Sequence, residues 1–174
     1  MANIITESGM DFIADNTFHI EHSPLYTDKL SGNRIKTVEF IRVKDNNLIF
    51  LEAKTTFPKP DDNPNAEESG RFEIALKKVC EKFIHSLNLY SSVKVGVTEI
   101  QLPEDFLPPD KVTLTFVLVV ENHKLEWCRS IKTALVKVLP FYLHMIWKPI
   151  VHVINHNTAI KYKLAVIREG NING

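Results

Sequence analysis

IKTVEFIRVKDNNLIFLEAKTT, residues 35–56, consists of two runs rich in Val, Ile, Phe and Thr on either side of Asp45-Asn46. A turn-forming pair between two such runs is typical of a β-hairpin. A turn centred between Asp45 and Asn46 places Glu39 directly opposite Glu52, and the neighbouring positions on both faces are largely apolar. Strands that are apolar on both faces belong in the middle of a covered sheet. The hairpin is therefore predicted at the centre of the fold.

The predicted register brings two carboxylates together in an apolar sheet. Like charges repel, and a buried carboxylate is costly unless something pairs with it. Lys54, two residues beyond Glu52 on the same face, relieves part of the repulsion, and a divalent cation would relieve more. The same register pairs Val38 with Ala53 on the opposite face.

Glu39 followed by Glu52-Ala53-Lys54 resembles the PD-(D/E)XK nuclease superfamily, which has the restriction-endonuclease-like fold. The resemblance implies metal-dependent cleavage of phosphodiester bonds in DNA. It implies that Glu39 and Glu52 are ligands for Mg²⁺ or Mn²⁺, that the Ala53 carbonyl completes the metal site, and that Lys54 is the catalytic lysine. Mg²⁺ prefers carboxylate and carbonyl oxygens, and it lowers the pKa of a bound water. The chain departs from the usual pattern because Glu39 replaces an aspartate and no proline precedes it.

Length and composition favour one domain over residues 1–174, since the chain has 174 residues of which 44% are hydrophobic. Cys80 and Cys128 fall in apolar helical patterns, which predicts buried thiols in a reducing compartment and a cytoplasmic location. No run resembles a signal peptide or a membrane span, so no membrane association is expected. The sequence indicates neither a protein partner nor an oligomeric state.

The charge balance is neutral, with a formal net charge of zero, and gives no overall electrostatic support for binding nucleic acid. Basic residues nevertheless cluster around the first hairpin strand, and a solvated surface is the favoured interpretation. These residues are Lys29, Arg34, Lys36, Arg42 and Lys44.

Apolar periodicity along the chain predicts an α/β fold with a central mixed β-sheet that contains the antiparallel hairpin and is flanked by helices. The αβββαβ core of the restriction-endonuclease-like fold is what the resemblance implies. Further strands are predicted at Thr17–Glu21, Val93–Ile100, Lys111–Val120 and Ile150–Ile154. Helices are predicted at Arg71–Tyr90 with a Ser69 cap, from Lys124 to Val138, and at Thr158–Leu164 with an Asn157 cap. Residues 1–16 are expected to form a loosely held arm or a short helix, and Phe141–Trp147 to add bulk to the core.

Other polar positions have two interpretations. Glu21 is either a further acidic group in the metal pocket or an exposed carboxylate at a strand end, and the exposed position is favoured. The loop Phe57–Gly70 is either a flap over the site or an ordinary connection, and its acidic residues favour the connection. Glu73 and Lys77 are expected to face solvent. The histidines His144, His152 and His156 match no compact zinc arrangement.

Three hypotheses for function follow. The first is a magnesium-dependent nuclease-like hydrolase that acts on DNA. The second is the same fold as a catalytically inactive module that binds protein or nucleic acid. The third is an unrelated α/β protein in which Glu39 and Glu52 lie in open solvent with no cavity between them.

Overall fold

A computed structural model of the chain describes residues 3–30, 32–59, 66–98 and 101–168. The strands are β1 (Ile4–Glu7), β2 (Met10–Ile13), β3 (Thr17–Phe18), β4 (Phe40–Lys44), β5 (Asn47–Lys54), β6 (Thr113–Val120), β7 (Ile150–Asn155) and β8 (Ala165–Val166). The α-helices are α1 (Pro24–Lys29), α2 (Ala66–Lys94), α3 (Leu125–Val138) and α4 (His156–Lys161), with a 3-10 helix at Ile20–His22 and a π-helix at Leu143–Trp147.

The larger sheet has five strands in the order β3-β4-β5-β6-β7. β4 and β5 form the predicted antiparallel hairpin, with Phe40 opposite Leu51 and Val43 opposite Leu48. β6 lies parallel to β5, and β7 lies parallel to β6. The predictions of a mixed α/β fold, of the hairpin register and of a parallel strand after the long helix are thus confirmed.

The sheet is covered on both faces. On one face, Phe50 and Phe116 pack in a cluster with residues of α2 and α3, and Phe83 of α2 stacks on Phe116 with ring centroids 4.5 Å apart. On the other face, Leu51 packs in a second cluster with residues of a small antiparallel sheet of order β1-β2-β8. Two-sided coverage explains why both faces of the hairpin are apolar.

The amino-terminal segment is not a loose arm, so that prediction was wrong. β1 and β2 form a hairpin, with Gly9 in the turn at a φ of 78°. Met10 and Phe12 of β2 are fully buried, and Phe12 packs edge-on against Phe40. Each strand is too short to show a clear alternation, and the other partners of β2, which are β8 and Phe40, lie far away in the sequence.

The long helix α2 extends beyond its predicted bounds at both ends. It begins at Ala66, so Ser69 lies within it and does not cap it. It continues to Lys94, where a strand had been predicted from Val93 to Ile100, and Gly96 then turns the chain with a φ of 74°. The valines of this segment favour a strand locally, but Val93 is buried as part of the helix, and Val95 and Val97, beyond its end, are 73% and 76% exposed. Residues 60–65, within the predicted loop Phe57–Gly70, and residues 99 and 100 lie outside the described part.

Smaller elements also differ from the predictions. The strand predicted from Thr17 to Glu21 is limited to Thr17–Phe18, and the 3-10 helix follows it. Helix α4 begins earlier than predicted, because the Asn155 side chain, and not that of Asn157, accepts the N–H of Thr158 at 3.0 Å. The segment Phe141–Trp147 adds little to the core, since Leu143 is buried but Phe141 is 76% exposed.

The thiols of Cys80 and Cys128 are free and buried, as predicted. Burial raises the pKa of Cys80 to about 11 and that of Cys128 above its usual value. Among the residues that the structure describes, none of the helices combines the length and the apolar character that a membrane span requires.

Replacing Phe83 by alanine tests the packing of α2 on the sheet. Phe83 is 0% exposed, and we expect Phe83→Ala to lower the free energy of unfolding by about 3–5 kcal/mol because it leaves a cavity beside Phe116. Phe141→Ala is the matched control and should change stability by no more than about 0.5 kcal/mol. Urea unfolding followed by circular dichroism measures both. Equal effects of the two changes would contradict the packing described here.

Candidate active site

Glu39 and Glu52 meet at one end of the large sheet, where β4 begins and β5 ends. Glu39 directly precedes β4, and Glu52 lies near the end of β5. The two strands are antiparallel, so these positions are adjacent, and the Glu39 N–H donates to the Leu51 carbonyl at 3.1 Å. Both side chains point toward helix α2, where Lys82 lies close to each of them. The sequence-predicted pair is therefore brought together on one face.

Glu52 is fully buried, at 0% exposure, and is held between two ammonium groups. Its Oε1 lies 2.6 Å from the Lys54 Nζ and 2.8 Å from the Lys82 Nζ. The Lys82 Nζ also donates a hydrogen bond to Oε2 at 2.9 Å. A buried carboxylate is tolerated when it is paired and hydrogen-bonded in this way.

Lys82 is a site residue that was not predicted from the sequence. It lies on α2, and its Nζ is 3.8 Å from the Glu39 Oε1. Glu73 and Lys77, the helix residues considered from the sequence, face solvent as expected. A signal was present, because Lys82 follows Val79 by three residues and precedes Ser86 by four, which places it on the buried stripe of the helix.

Glu21 reaches the same site from the 3-10 helix. Its carboxyl group shares a hydrogen bond with that of Glu39, and it is half-buried. The favoured interpretation of Glu21 as an exposed carboxylate at a strand end was therefore wrong. The tight turn of a 3-10 helix redirects the chain after Phe18, and the short sequence pattern did not reveal that turn.

The environment shifts the proton affinity of two groups. Burial, the hydrogen bond with Glu21 and the charge of Glu52 raise the pKa of Glu39 to about 9, while Lys82 opposes the rise. For Lys82, burial acts to lower the pKa, but the charge and hydrogen bond of Glu52, with smaller contributions from Glu39 and Glu21, outweigh it and raise the pKa. At neutral pH, Glu39 is therefore protonated and Lys82 is charged.

The resemblance implies that the Ala53 carbonyl is a metal ligand. In the structure this carbonyl contacts the β1–β2 turn. It accepts a hydrogen bond from the Ser8 Oγ at 3.0 Å, and the Thr55 Oγ donates to the Ser8 carbonyl at 3.2 Å. A carbonyl oxygen has two lone pairs, so one remains for a second partner. Val38 does not lie with Ala53 on the opposite face, because β4 begins only at Phe40. Instead Val38 packs in the cluster of α2, and its N–H donates to the Ser86 Oγ at 2.8 Å.

A pocket of about 190 Å³ opens beside Glu52. The charged residues that line it are four lysines and one carboxylate. They are Lys36, Lys54, Lys78, Lys82 and Glu52, and the other lining residues are Thr56, Phe57, Pro58, Ala75 and Val79. Glu39 and Glu52 are both buried, so the hypothesis that places them in open solvent is wrong.

The basic cluster of the first hairpin strand is not uniformly solvated, which corrects the favoured interpretation. Arg42 is buried and its Nη1 donates to the Lys163 carbonyl at 3.1 Å. The Lys44 Nζ donates to the Tyr162 carbonyl at 2.6 Å. Lys36 lines the pocket. Two of these cations thus fasten the carboxy-terminal segment to the sheet, and one faces the candidate site.

The raised pKa of Glu39 predicts an unusual dependence of stability on pH. Between the reference pKa of 4.5 and the folded value of about 9, the folded state binds more protons than the unfolded state, so the stability that Glu39 contributes falls as pH rises. Glu39→Gln does not titrate and keeps a donor for Glu21. We expect its melting temperature, relative to wild type, to rise by at least about 3 °C from pH 5 to pH 9.

Differential scanning calorimetry in matched buffers measures this difference. Glu73→Gln, at an exposed position of α2, is the control and should show no such trend. A constant difference between Glu39→Gln and wild type over the whole pH range would show that Glu39 is not held protonated by the fold.

Comparison with protein-family models, curated proteins and solved structures finds no match to this chain. The resemblance to PD-(D/E)XK nucleases therefore depends on the residues that carry it. Those residues are Glu39, Glu52, Ala53 and Lys54.

Proposed function

We propose that this chain is a restriction-endonuclease-like protein of the PD-(D/E)XK type that hydrolyses phosphodiester bonds in DNA with Mg²⁺ or Mn²⁺. The observation that carries the proposal is the convergence of Glu39, Glu52 and Lys54 beside a lysine-lined pocket. The order of elements, an antiparallel hairpin followed by a helix and a parallel strand, supports it. The carboxyl ends of parallel strands are also where α/β sheets commonly bind ligands.

The donor atoms at this end of the sheet suit a hard divalent cation. Glu39, Glu52 and the Ala53 carbonyl would hold it, because Mg²⁺ and Mn²⁺ prefer oxygen ligands. When bound, the ion supplies a more acidic water and stabilises negative charge on the phosphate. Lys82 would then have to leave Glu52, with which its ammonium group pairs. Its side chain is 14% exposed, and its flexible stem can move the ammonium group into the adjoining pocket.

The pocket lysines suit a phosphate group. Lys36, Lys54 and Lys78 line the same 190 Å³ space from three different elements of the chain. Such a local concentration of positive charge attracts a polyanion although the net charge of the chain is zero. Lys54 pairs with Glu52 and is the lysine best placed to orient an attacking water or to stabilise charge on the scissile phosphate.

A second candidate function is a module that binds nucleic acid without cleaving it. The position of Lys82 favours this candidate, because its ammonium group already neutralises Glu52 and approaches Glu39. An internal cation makes the cluster complete without metal. Glutamate in place of aspartate at position 39 also moves the carboxylate outward by one methylene. In this candidate the lysine-lined pocket would bind phosphate, but no water would be activated.

Removing Lys54 distinguishes catalysis from its absence. In Lys54→Met, Glu52 keeps Lys82 as a partner, so the fold is expected to persist. We expect wild type to nick supercoiled plasmid with Mn²⁺ or Mg²⁺, and Lys54→Met to be slower by about 10²–10⁴-fold because an assisting lysine is lost. Lys77→Met, at an exposed position of helix α2, is the control and should cleave at the wild-type rate.

The same variants also test the binding module. If wild type binds a labelled DNA duplex in fluorescence anisotropy with a strong dependence on salt but never cleaves it, the second candidate is correct. Equal cleavage by wild type and Lys54→Met would point to a contaminating nuclease. The absence of both binding and cleavage would reject both candidates.

Lys82→Met tests whether the ammonium group and a metal ion compete for one place. Without the Lys82 ammonium, Glu52 keeps its ion pair with Lys54, and the carboxylates become more available to a cation. We therefore expect Mn²⁺ to raise the melting temperature of Lys82→Met more than that of wild type, since a ligand that binds only the folded state stabilises it. Thermal shift at increasing Mn²⁺ concentration measures this. An unchanged melting temperature in both proteins would eliminate the metal site.

A further inference from the structure

A second cluster of potential metal ligands lies outside the site described above. Its members are Glu7 at the end of β1, His19 just before the 3-10 helix, and His22 at the end of that helix. One potential ligand atom from each residue lies within 4.8 Å of the other two. The His19 Nε2 is 3.1 Å from the Glu7 Oε1. The imidazole rings of His19 and His22 stack with centroids 4.0 Å apart and an interplanar angle of 27°.

Local structure explains why the two imidazoles face the same way. Residues three apart in a 3-10 helix are eclipsed, so His19 and His22 project from the same side. The helix between them is anchored, because Ile20 is fully buried and its carbonyl accepts a hydrogen bond from the Ser23 Oγ at 2.7 Å. The arrangement is thus fixed by the backbone and not only by the side chains.

Glu7 is held in place by a different part of the fold. It precedes the β1–β2 turn, and Ser8 of that turn donates to the Ala53 carbonyl at 3.0 Å. Thr55 donates to the Ser8 carbonyl at 3.2 Å. The turn that carries Glu7 is therefore fastened to the end of β5. Two segments without regular pairing to each other bring their ligands to one point.

We propose that Glu7, His19 and His22 bind a divalent transition-metal ion of the zinc class. Two imidazole nitrogens and a carboxylate oxygen form a donor set that suits Zn²⁺, Co²⁺ or Ni²⁺, whereas Mg²⁺ requires mainly oxygen ligands. Around an ion with bonds of about 2.1 Å, neighbouring donors lie roughly 3–3.5 Å apart. The 3.1 Å between His19 and Glu7 already matches this spacing. His22 is exposed and free to close the remaining distance by rotating its side chain.

Binding would have a structural consequence. The ion would link the β1–β2 turn to the 3-10 helix, which also carries Glu21, the partner of Glu39. The exposed position of His22 leaves the remaining coordination positions open to water, as in zinc sites with three protein ligands. This site uses none of the residues of the proposed nuclease site and does not depend on that function.

The test uses the full chain after removal of metal with a chelator. Co²⁺ is added and the visible absorption of bound Co²⁺ is recorded, and Zn²⁺ affinity is measured by titration calorimetry. We expect saturable binding of Zn²⁺ that a large excess of Mg²⁺ does not displace. His22→Ala should weaken it at least about tenfold because one of three ligands is lost. Since His22 is exposed, this variant should fold, and its melting temperature without metal should equal that of wild type.

Two further variants separate this site from others. His152→Ala, on edge strand β7 at the other side of the sheet, should bind Zn²⁺ as wild type does. His22→Cys should restore binding, because thiolate is also a zinc ligand. Lys54→Met should leave Zn²⁺ affinity unchanged even if it abolishes DNA cleavage. Absence of Co²⁺ absorption with wild type, or equal Zn²⁺ affinity of wild type and His22→Ala, would overturn the proposal.

Discussion

The arrangement of this end of the sheet depends on the fully buried carboxylate of Glu52, which pairs with the ammonium groups of Lys54 and Lys82. An unpaired charge at that depth costs several kcal/mol. Lys54 must therefore lie on the same face of β5 as Glu52, and α2 must pass close enough for Lys82 to contact the Glu52 carboxylate. The same geometry brings Glu39 close to Lys82. Packing and charge compensation thus fix the position of the long helix together.

Segments that are distant in the sequence converge on this end of the sheet. The β1–β2 turn reaches Ala53 through Ser8, the 3-10 helix reaches Glu39 through Glu21, and α2 contributes Lys82. Apolar side chains cover most of both faces of the sheet. At this end, burial and neighbouring charges raise the pKa of Glu39, whereas for Lys82 burial acts to lower the pKa and the neighbouring carboxylates outweigh it. Shifts with these combined causes are typical of functional sites.

The sequence predicted those features that local pattern determines. The register of the hairpin follows from the turn at Asp45-Asn46 and from alternation, and it correctly paired Phe40 with Leu51 and Val43 with Leu48. Glu39 lies just beyond these paired residues, and its N–H donates to the Leu51 carbonyl. Helix α3 and strand β6 follow from continuous periodicity over many residues. Lys82 was not identified, and for Glu21 the exposed position was wrongly favoured over a place in the acidic pocket, because both roles depend on how α2 and the 3-10 helix pack against the hairpin. Burial of Met10 and Phe12 was missed for the same reason: a four-residue strand acquires its stability from partners that its own sequence does not reveal.

The two proposed functions differ in which cation neutralises Glu52. With Lys82 in place, the compensating charge belongs to the chain itself. A divalent cation that replaces it displaces a positive charge, and that charge needs a new counterion in a partly buried pocket. A phosphate group among Lys36, Lys54 and Lys78 would be such a counterion. Metal and phosphate would then favour each other's binding, because the negative charge of the phosphate compensates the positive charge that the metal adds to the site. Within the nuclease proposal, the ion pair of the metal-free site therefore resists binding of metal until substrate supplies the missing negative charge.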